Sequence, residues 1–206
     1  WLSQINCAPK EFIARTKPSS LRLVGARGVV VIGHDRGGLA VDEIKDFTKV
    51  LGWPVIAEDP LSFPSALSHA SIFLTSQVIT DELTPDTVVV IGRTTLSRSI
   101  NRIIATARKT IVIDPRITTV DIDRVADQKF AALPKVEVPL ADSEYAERWK
   151  KYSDRTAKKI AEMSQWSEAL VAREIGSGIA SGQTLFIASS RPIRDIEGFA
   201  AARGGV

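Results

Sequence analysis

Val29-Val30-Val31-Ile32-Gly33 is a short, wholly apolar, β-branched run stopped by glycine, and Val88-Val89-Val90-Ile91-Gly92 repeats it downstream. A strand with water on one face alternates apolar and polar residues, whereas a strand lacking that alternation is buried on both faces. Thr110-Ile111-Val112-Ile113-Asp114 is a third such run, and Pro54-Val55-Ile56-Ala57 a shorter one. Stretches of helical period lie between them. Ala40, Ile44, Phe47 and Leu51 fall at spacings of four, three and four, and Leu96, Ile100, Ile103, Ile104 and Ala107 share another face. Residues 66–76 read as a further helix. Parallel strands need crossover helices, and those helices hide both faces of the sheet, so the alternation predicts an α/β fold built on a doubly wound parallel sheet.

Outward from this centre, residues 1–27 show little periodicity and read as an interdomain linker, leaving 28–163 as the sheet domain. Val136-Glu137-Val138-Pro139-Leu140 precedes a long charged helix with Tyr145, Trp149, Tyr152, Thr156, Ile160 and Met163 along one stripe. With six Lys or Arg and five Asp or Glu in 141–163, this is a solvated face with an aromatic seam packed on a neighbour. The rhythm then restarts: a helix over 167–179, a strand at Gln183-Thr184-Leu185-Phe186-Ile187-Ala188, and a second helix over 191–202. A domain boundary is expected near 163–167, with 164–206 supplying the first βα elements of a second, truncated α/β domain. Position 1 is Trp, and Ala202-Arg203-Gly204-Gly205-Val206 reads as a helix close, a turn and the opening of a strand. The chain is therefore expected to be an internal piece of a larger enzyme.

Composition narrows the function classes. The 206 residues are 44% hydrophobic and 25% charged, with no apolar run near the ~18 residues a membrane span requires. The formal charge of +3 is spread over interleaved acids and bases, without the basic stripe expected for nucleic acid. A single Cys7 excludes an internal disulfide and fits a reducing cytoplasm, and Cys7, His34 and His69 show no metal-ligand spacing.

In open parallel sheets, ligands collect at the carboxyl ends of strands. Four such ends can be named: Gly33-His34-Asp35-Arg36-Gly37-Gly38, Gly92-Arg93-Thr94-Thr95, Asp114-Pro115-Arg116 and Ser189-Ser190-Arg191. The first could offer backbone N–H groups to an anion, but its glycines match neither a dinucleotide fingerprint nor a P-loop, and a tight turn is the simpler reading. The second has Asp114 at the distance of a ribose-binding acid but lacks the further glycines. Residues 176–182 are glycine-rich, yet they precede a strand and read as a helix stop. The fourth end places two hydroxyls at a strand terminus and Arg194 one helical turn past Ser190, a fork suited to a carboxylate. An Arg194–Asp195 surface pair or a Ser190 helix cap would be the ordinary alternative.

Leu185-Phe186-Ile187-Ala188-Ser189-Ser190-Arg191-Pro192-Ile193-Arg194-Asp195 resembles the start of the third domain in the 2-succinyl-5-enolpyruvyl-6-hydroxy-3-cyclohexene-1-carboxylate (SEPHCHC) synthase family. These are thiamine-diphosphate enzymes of menaquinone biosynthesis. Gly52-Trp53-Pro54-Val55-Ile56-Ala57-Glu58 and Gly92-Arg93-Thr94-Thr95-Leu96-Ser97-Arg98 are similar to segments of the family's Rossmann-like central domain. The resemblance implies a fragment of an enzyme that decarboxylates 2-oxoglutarate on thiamine diphosphate with Mg2+, adds the succinyl unit to isochorismate, and assembles as a homo-oligomer. Neither the activating glutamate segment nor the Gly-Asp-Gly metal motif is present, so the piece alone is expected to be inactive, without catalytic or metal-binding residues. It also implies substrate contacts from Ser190, Arg194 and Arg98, and cofactor contacts from Ser189 and Ser190; Ser189 departs from a frequent Asn. Two alternatives remain: a free-standing nucleotide-binding or regulatory module, and another thiamine-diphosphate carboligase.

Overall fold

The computed structural model describes residues 20–23, 25–93, 97–116, 126–137 and 141–206. The chain runs β1 (Leu21–Arg22), β2 (Gly28–Ile32), α1 (Val41–Leu51), β3 (Val55–Ala57), α2 (Ala70–Phe73), α3 (Gln77–Glu82) and β4 (Thr87–Ile91). It continues through α4 (Arg98–Thr106), β5 (Lys109–Ile113), β6 (Gln128–Phe130), β7 (Val136–Glu137), α5 (Ser143–Ala161), α6 (Glu168–Gly178) and α7 (Arg191–Phe199). Five strands form one parallel sheet in the order β3-β2-β4-β5-β6. The two echoing runs lie side by side, Gly28 opposite Thr87 through Ile32 opposite Ile91.

The unbroken apolar runs are explained by the layers on either side. Val30, Ile32, Val89, Ile91, Ile111 and Ile113 face α1 through Ile44, Phe47 and Leu51. Val29, Val31, Val88, Val90 and Val112 face the opposite way, onto Ile100, Ile103, Ile104, Tyr145 and Trp149. Each such Val or Ile contributes about 1.5–3 kcal/mol by leaving water. Gly52, with φ 62, closes α1 in the left-handed conformation and turns the chain into β3. Ser97 caps α4 by accepting from the Ile100 amide, and Asp142 caps α5 by accepting from Tyr145. The aromatic seam of α5 packs on α2, with the Phe73 and Trp149 rings edge to face at 5.9 Å. The Tyr145 hydroxyl donates to the Leu83 carbonyl.

Several elements differ from the sequence reading. Of the helix expected over 66–76 only the single turn of α2 forms, and the next helix, α3, begins at Gln77 beyond that range. Leu21–Arg22, inside the expected linker, pairs in parallel with Val136–Glu137. β6 was not anticipated: Gln128-Lys129-Phe130 contains no β-branched residue and is an exposed edge, where a lysine discourages further pairing. The strand expected at 183–188 is not formed. A strand is defined by its ladder, and no described strand lies beside this run, so Leu185 and Ile187 are half-buried while Phe186 is 93% exposed. Cys7, Thr94, Thr95, Leu96 and residues 138–140 lie outside the described residues.

Candidate functional site

The sheet order reverses between β2 and β4, and the crevice of a doubly wound sheet opens at that point. Here the chain fills it. The Arg93 amide donates to the Asp35 carbonyl at 3.0 Å. A Cβ on Gly33 would sit 1.5 Å from the Arg93 carbonyl oxygen, and one on Gly92 2.3 Å from that of Asp35. The two loops therefore touch backbone to backbone, an approach only glycine permits. Arg116, beyond β5, reaches across the end of β4: Nη1 donates to Asp35 at 2.6 Å, while Nε and Nη2 donate to the two Asp114 oxygens at 3.0 and 2.8 Å. This fork, helped by the Gly37 N–H, holds the Asp35 carboxyl below the usual carboxylate range. Arg36 pairs with Asp59 at 3.2 Å and lies over the Phe63 ring. At the end of β3, the buried Glu58 accepts from the backbone N–H of His34 at 2.9 Å and contacts its ring.

These contacts commit, within the chain, groups on which a dinucleotide site would draw. Gly37 and Gly38, at φ 65 and 89, form a turn, and α1 begins only at Val41, so they do not open a helix. Asp114, the acid at ribose distance from Gly92, is held by Arg116. Gly178 ends α6, the helix stop read from the sequence.

The second rim is built by α7. Ser190 precedes it at φ 78, ψ −124, a conformation costly for a residue with a Cβ, and its side chain makes no cap bond. Pro192 stiffens the first turn. Asp195 pairs with Arg191 at 3.5 Å and not with Arg194, and Arg191 also faces Glu168 at 3.5 Å. Neither ordinary alternative for Ser190 and Arg194 is therefore realised. Ser189, Ser190 and Arg194 are all exposed. Arg98, the first residue of α4, is exposed as well. No hydrogen bond or ion pair joins it to the Ser190–Arg194 turn among the described residues. Of the arginines at the strand ends and the helix starts beyond them, Arg36, Arg93, Arg116 and Arg191 each face a carboxylate, whereas Arg98 and Arg194 face none among the described residues.

Of two further residues in this region, Glu197 went unnoticed in the sequence and His69 was read there only as lacking metal-ligand spacing. Glu197 is 4% exposed, with both carboxyl oxygens buried and without a hydrogen-bond partner. Burial, and behind it the charge of Glu58, pushes its carboxyl up to about 8. Its signal was available: Ile193, Ile196, Glu197 and Ala200 fall at i, i+3, i+4 and i+7, an apolar stripe with an acid in it. His69, 3% exposed and in the left-handed region at φ 64, donates from Nδ1 to the Gly198 carbonyl at 2.8 Å. Only folding reveals that contact, which spans 129 positions.

Between α6, residues 185–188 and α7 lies an apolar groove of about 540 Å3, walled by Trp166, Val171, Ile175, Phe186 and Ile196. Among the described residues, no three His, Cys, Asp or Glu side chains converge as metal ligands, and no helix is long and apolar enough to cross a membrane.

The family model described as the middle domain of thiamine pyrophosphate matches residues 1–187. The chain is also similar to proteins named 2-succinyl-5-enolpyruvyl-6-hydroxy-3-cyclohexene-1-carboxylate synthase. That of Bacillus cytotoxicus is 26% identical over 194 residues, covering 84% of this chain and 33% of the relative. That of Listeria monocytogenes is 28% identical over 197 residues, covering 84% and 34%. That of Thermosynechococcus vestitus is 26% identical over 190 residues, covering 83% and 33%. The chain spans about a third of the length of these curated relatives.

Proposed function

The chain belongs to the family of thiamine pyrophosphate middle domains, and from that premise we propose that it is the central part of a SEPHCHC synthase. The longer protein would be a cytoplasmic, homo-oligomeric transferase of menaquinone biosynthesis. It would release CO2 from 2-oxoglutarate and join the remaining succinyl unit to isochorismate. Residues 28–163 would be its Rossmann-like central domain and 164–206 the opening of its cofactor-binding domain, whose further strands would pair with 183–188 and cover Phe186.

One observation carries the reading. Both substrates are carboxylates, and of the six arginines named at the strand ends and the helix starts beyond them, Arg98 and Arg194 are the two that face no carboxylate among the described residues. An exposed guanidinium presents its planar fork intact, and two charge-assisted bonds fix a carboxylate in both position and plane. Arg194 would grip a substrate carboxylate from the first turns of α7. Arg98 would reach isochorismate from α4. Ser190, held strained with its hydroxyl uncommitted, would orient substrate beside the cofactor, with Ser189 next to it. When bound with Mg2+, thiamine diphosphate supplies the stabilisation of the carbanion. This chain's described residues provide hydroxyl contacts to the cofactor but no carboxylate set for the metal, which other parts of the longer protein would hold. The chain by itself would be inactive.

The test is an assay of the full-length protein for 2-oxoglutarate-dependent consumption of isochorismate, beside Arg194→Ala and Arg98→Ala. Loss of one arginine–carboxylate fork is expected to raise KM or lower kcat/KM by about 10–100-fold. Wild-type rates in both variants would refute the assignment of the two arginines. Titration of the chain with NAD, FAD and ADP is expected to show no binding; tight binding would favour a nucleotide module instead.

A further inference from the structure

The segment between β3 and α3 ties together the two helices that carry Arg98 and Arg194. The Ser99 hydroxyl of α4 donates to the Ser71 carbonyl at 2.7 Å, and the Ser153 hydroxyl of α5 donates to the Ser68 carbonyl at 2.9 Å. The Ala202 amide donates to the Ser68 hydroxyl at 2.8 Å, next to the His69–Gly198 bond. Three residues within four positions, Ser68, His69 and Ser71, thus bind three helices.

We propose that His69 is a positioning residue for the substrate grip, fixing the direction of α7 and through it the place of Arg194. A helix ends with carbonyls that have no intrahelical donor, and Gly198 belongs to the last turn of α7. A carbonyl only accepts, so His69 carries its proton on Nδ1 and supplies the missing donor. The contact is close as well as polar: a Cβ on Gly198 would come within 3.0 Å of Ile72, so the α7 backbone is seated directly on α2. Gly198 lies four residues beyond Arg194, about 6 Å along the axis and on the same face. A pin at Gly198 therefore sets where the Arg194 Cα sits. His69 holds a left-handed conformation that a β-carbon resists, and a residue kept there by its surroundings is over-determined.

The proposal rests on Arg194 gripping substrate, and two measurements separate the pieces. The first is amide exchange in the chain with His69→Gly, which removes the imidazole while relaxing the positive φ, and with His69→Asn, which tolerates that φ and keeps an N–H donor. The amides of 191–203 are expected to exchange about tenfold faster in the Gly variant, with the 87–91 strand unchanged and the Asn variant in between. No change, or uniform acceleration that includes the strand, overturns the pin.

The second is kinetics in the full-length protein. His69→Gly is expected to raise the same KM that Arg194→Ala raises, by about tenfold, and to add less than about twofold in the Arg194→Ala background. Equal effects in both backgrounds would mean that His69 does not act through Arg194. If Arg194→Ala alone leaves every KM unchanged, the substrate role of Arg194 fails and with it the positioning role, while the exchange result still decides whether His69 pins α7.

Discussion

Replacing Glu197 by Gln is expected to make the stability of this chain much less dependent on pH. Burial and the Glu58 charge raise the Glu197 carboxyl from its ordinary 4.5 to about 8. A raised carboxyl binds more protons in the folded state than in the unfolded one, so folding stability falls as pH rises from about 4.5 and levels off above about 8. At about 1.4 kcal/mol per pH unit, the gap amounts to about 5 kcal/mol by pH 9, a large share of the 5–15 kcal/mol that typically holds a domain together. Gln carries no such charge. Urea unfolding followed by circular dichroism at pH 5, 6, 7, 8 and 9 should show the variant gaining on the wild type by roughly 1.4 kcal/mol per unit up to near pH 8, then running parallel. Subtracting the two curves removes the opposing contribution of His69, whose proton affinity burial lowers. A difference independent of pH would refute the reasoning.

The acid side belongs to His69. Because the folded state resists its protonation, stability is lost as pH falls below the ordinary value of 6.5, and His69→Asn should flatten that slope in the same urea series. Gly33→Ala would drive its Cβ to 1.5 Å from the Arg93 carbonyl and should cost at least about 3 kcal/mol, visible as a fall in Tm or an insoluble chain. Arg116→Met leaves the buried Asp114 carboxylate without its fork, and a lower denaturant midpoint than wild type is expected. Phe186→Ser should reduce the binding of a hydrophobic dye to the chain while shifting Tm little, because the ring is 93% exposed.

The sheet was legible because β2, β4 and β5 are buried on both faces, and such burial leaves apolar runs that no helix period imitates. β6 and β1 were not, since an edge strand of two or three residues draws its stability from one neighbour and shows no pattern of its own. The run 183–188 is the opposite case: its pattern is that of a strand, but pairing is a property of neighbours. At the site, Arg194 was readable as a fork one turn past Ser190. That Asp195 would turn to Arg191, and that Ser190 would adopt a positive φ, depends on side-chain directions that spacing does not contain. Glu197 could have been found as the acid in an apolar stripe. His69 could not, because its partner is a backbone carbonyl contributed by α7.

The unpaired run 183–188 sets up a competition between tethered and untethered partners. Its backbone donors and acceptors and the outward Phe186 ring offer a template to any strand that arrives. A strand joined to it by a short linker arrives at an effective concentration near millimolar. A second copy in dilute solution arrives at micromolar concentration and loses by about a thousandfold. At high concentration that margin shrinks, and self-pairing of this chain through its open edge should rise with its concentration.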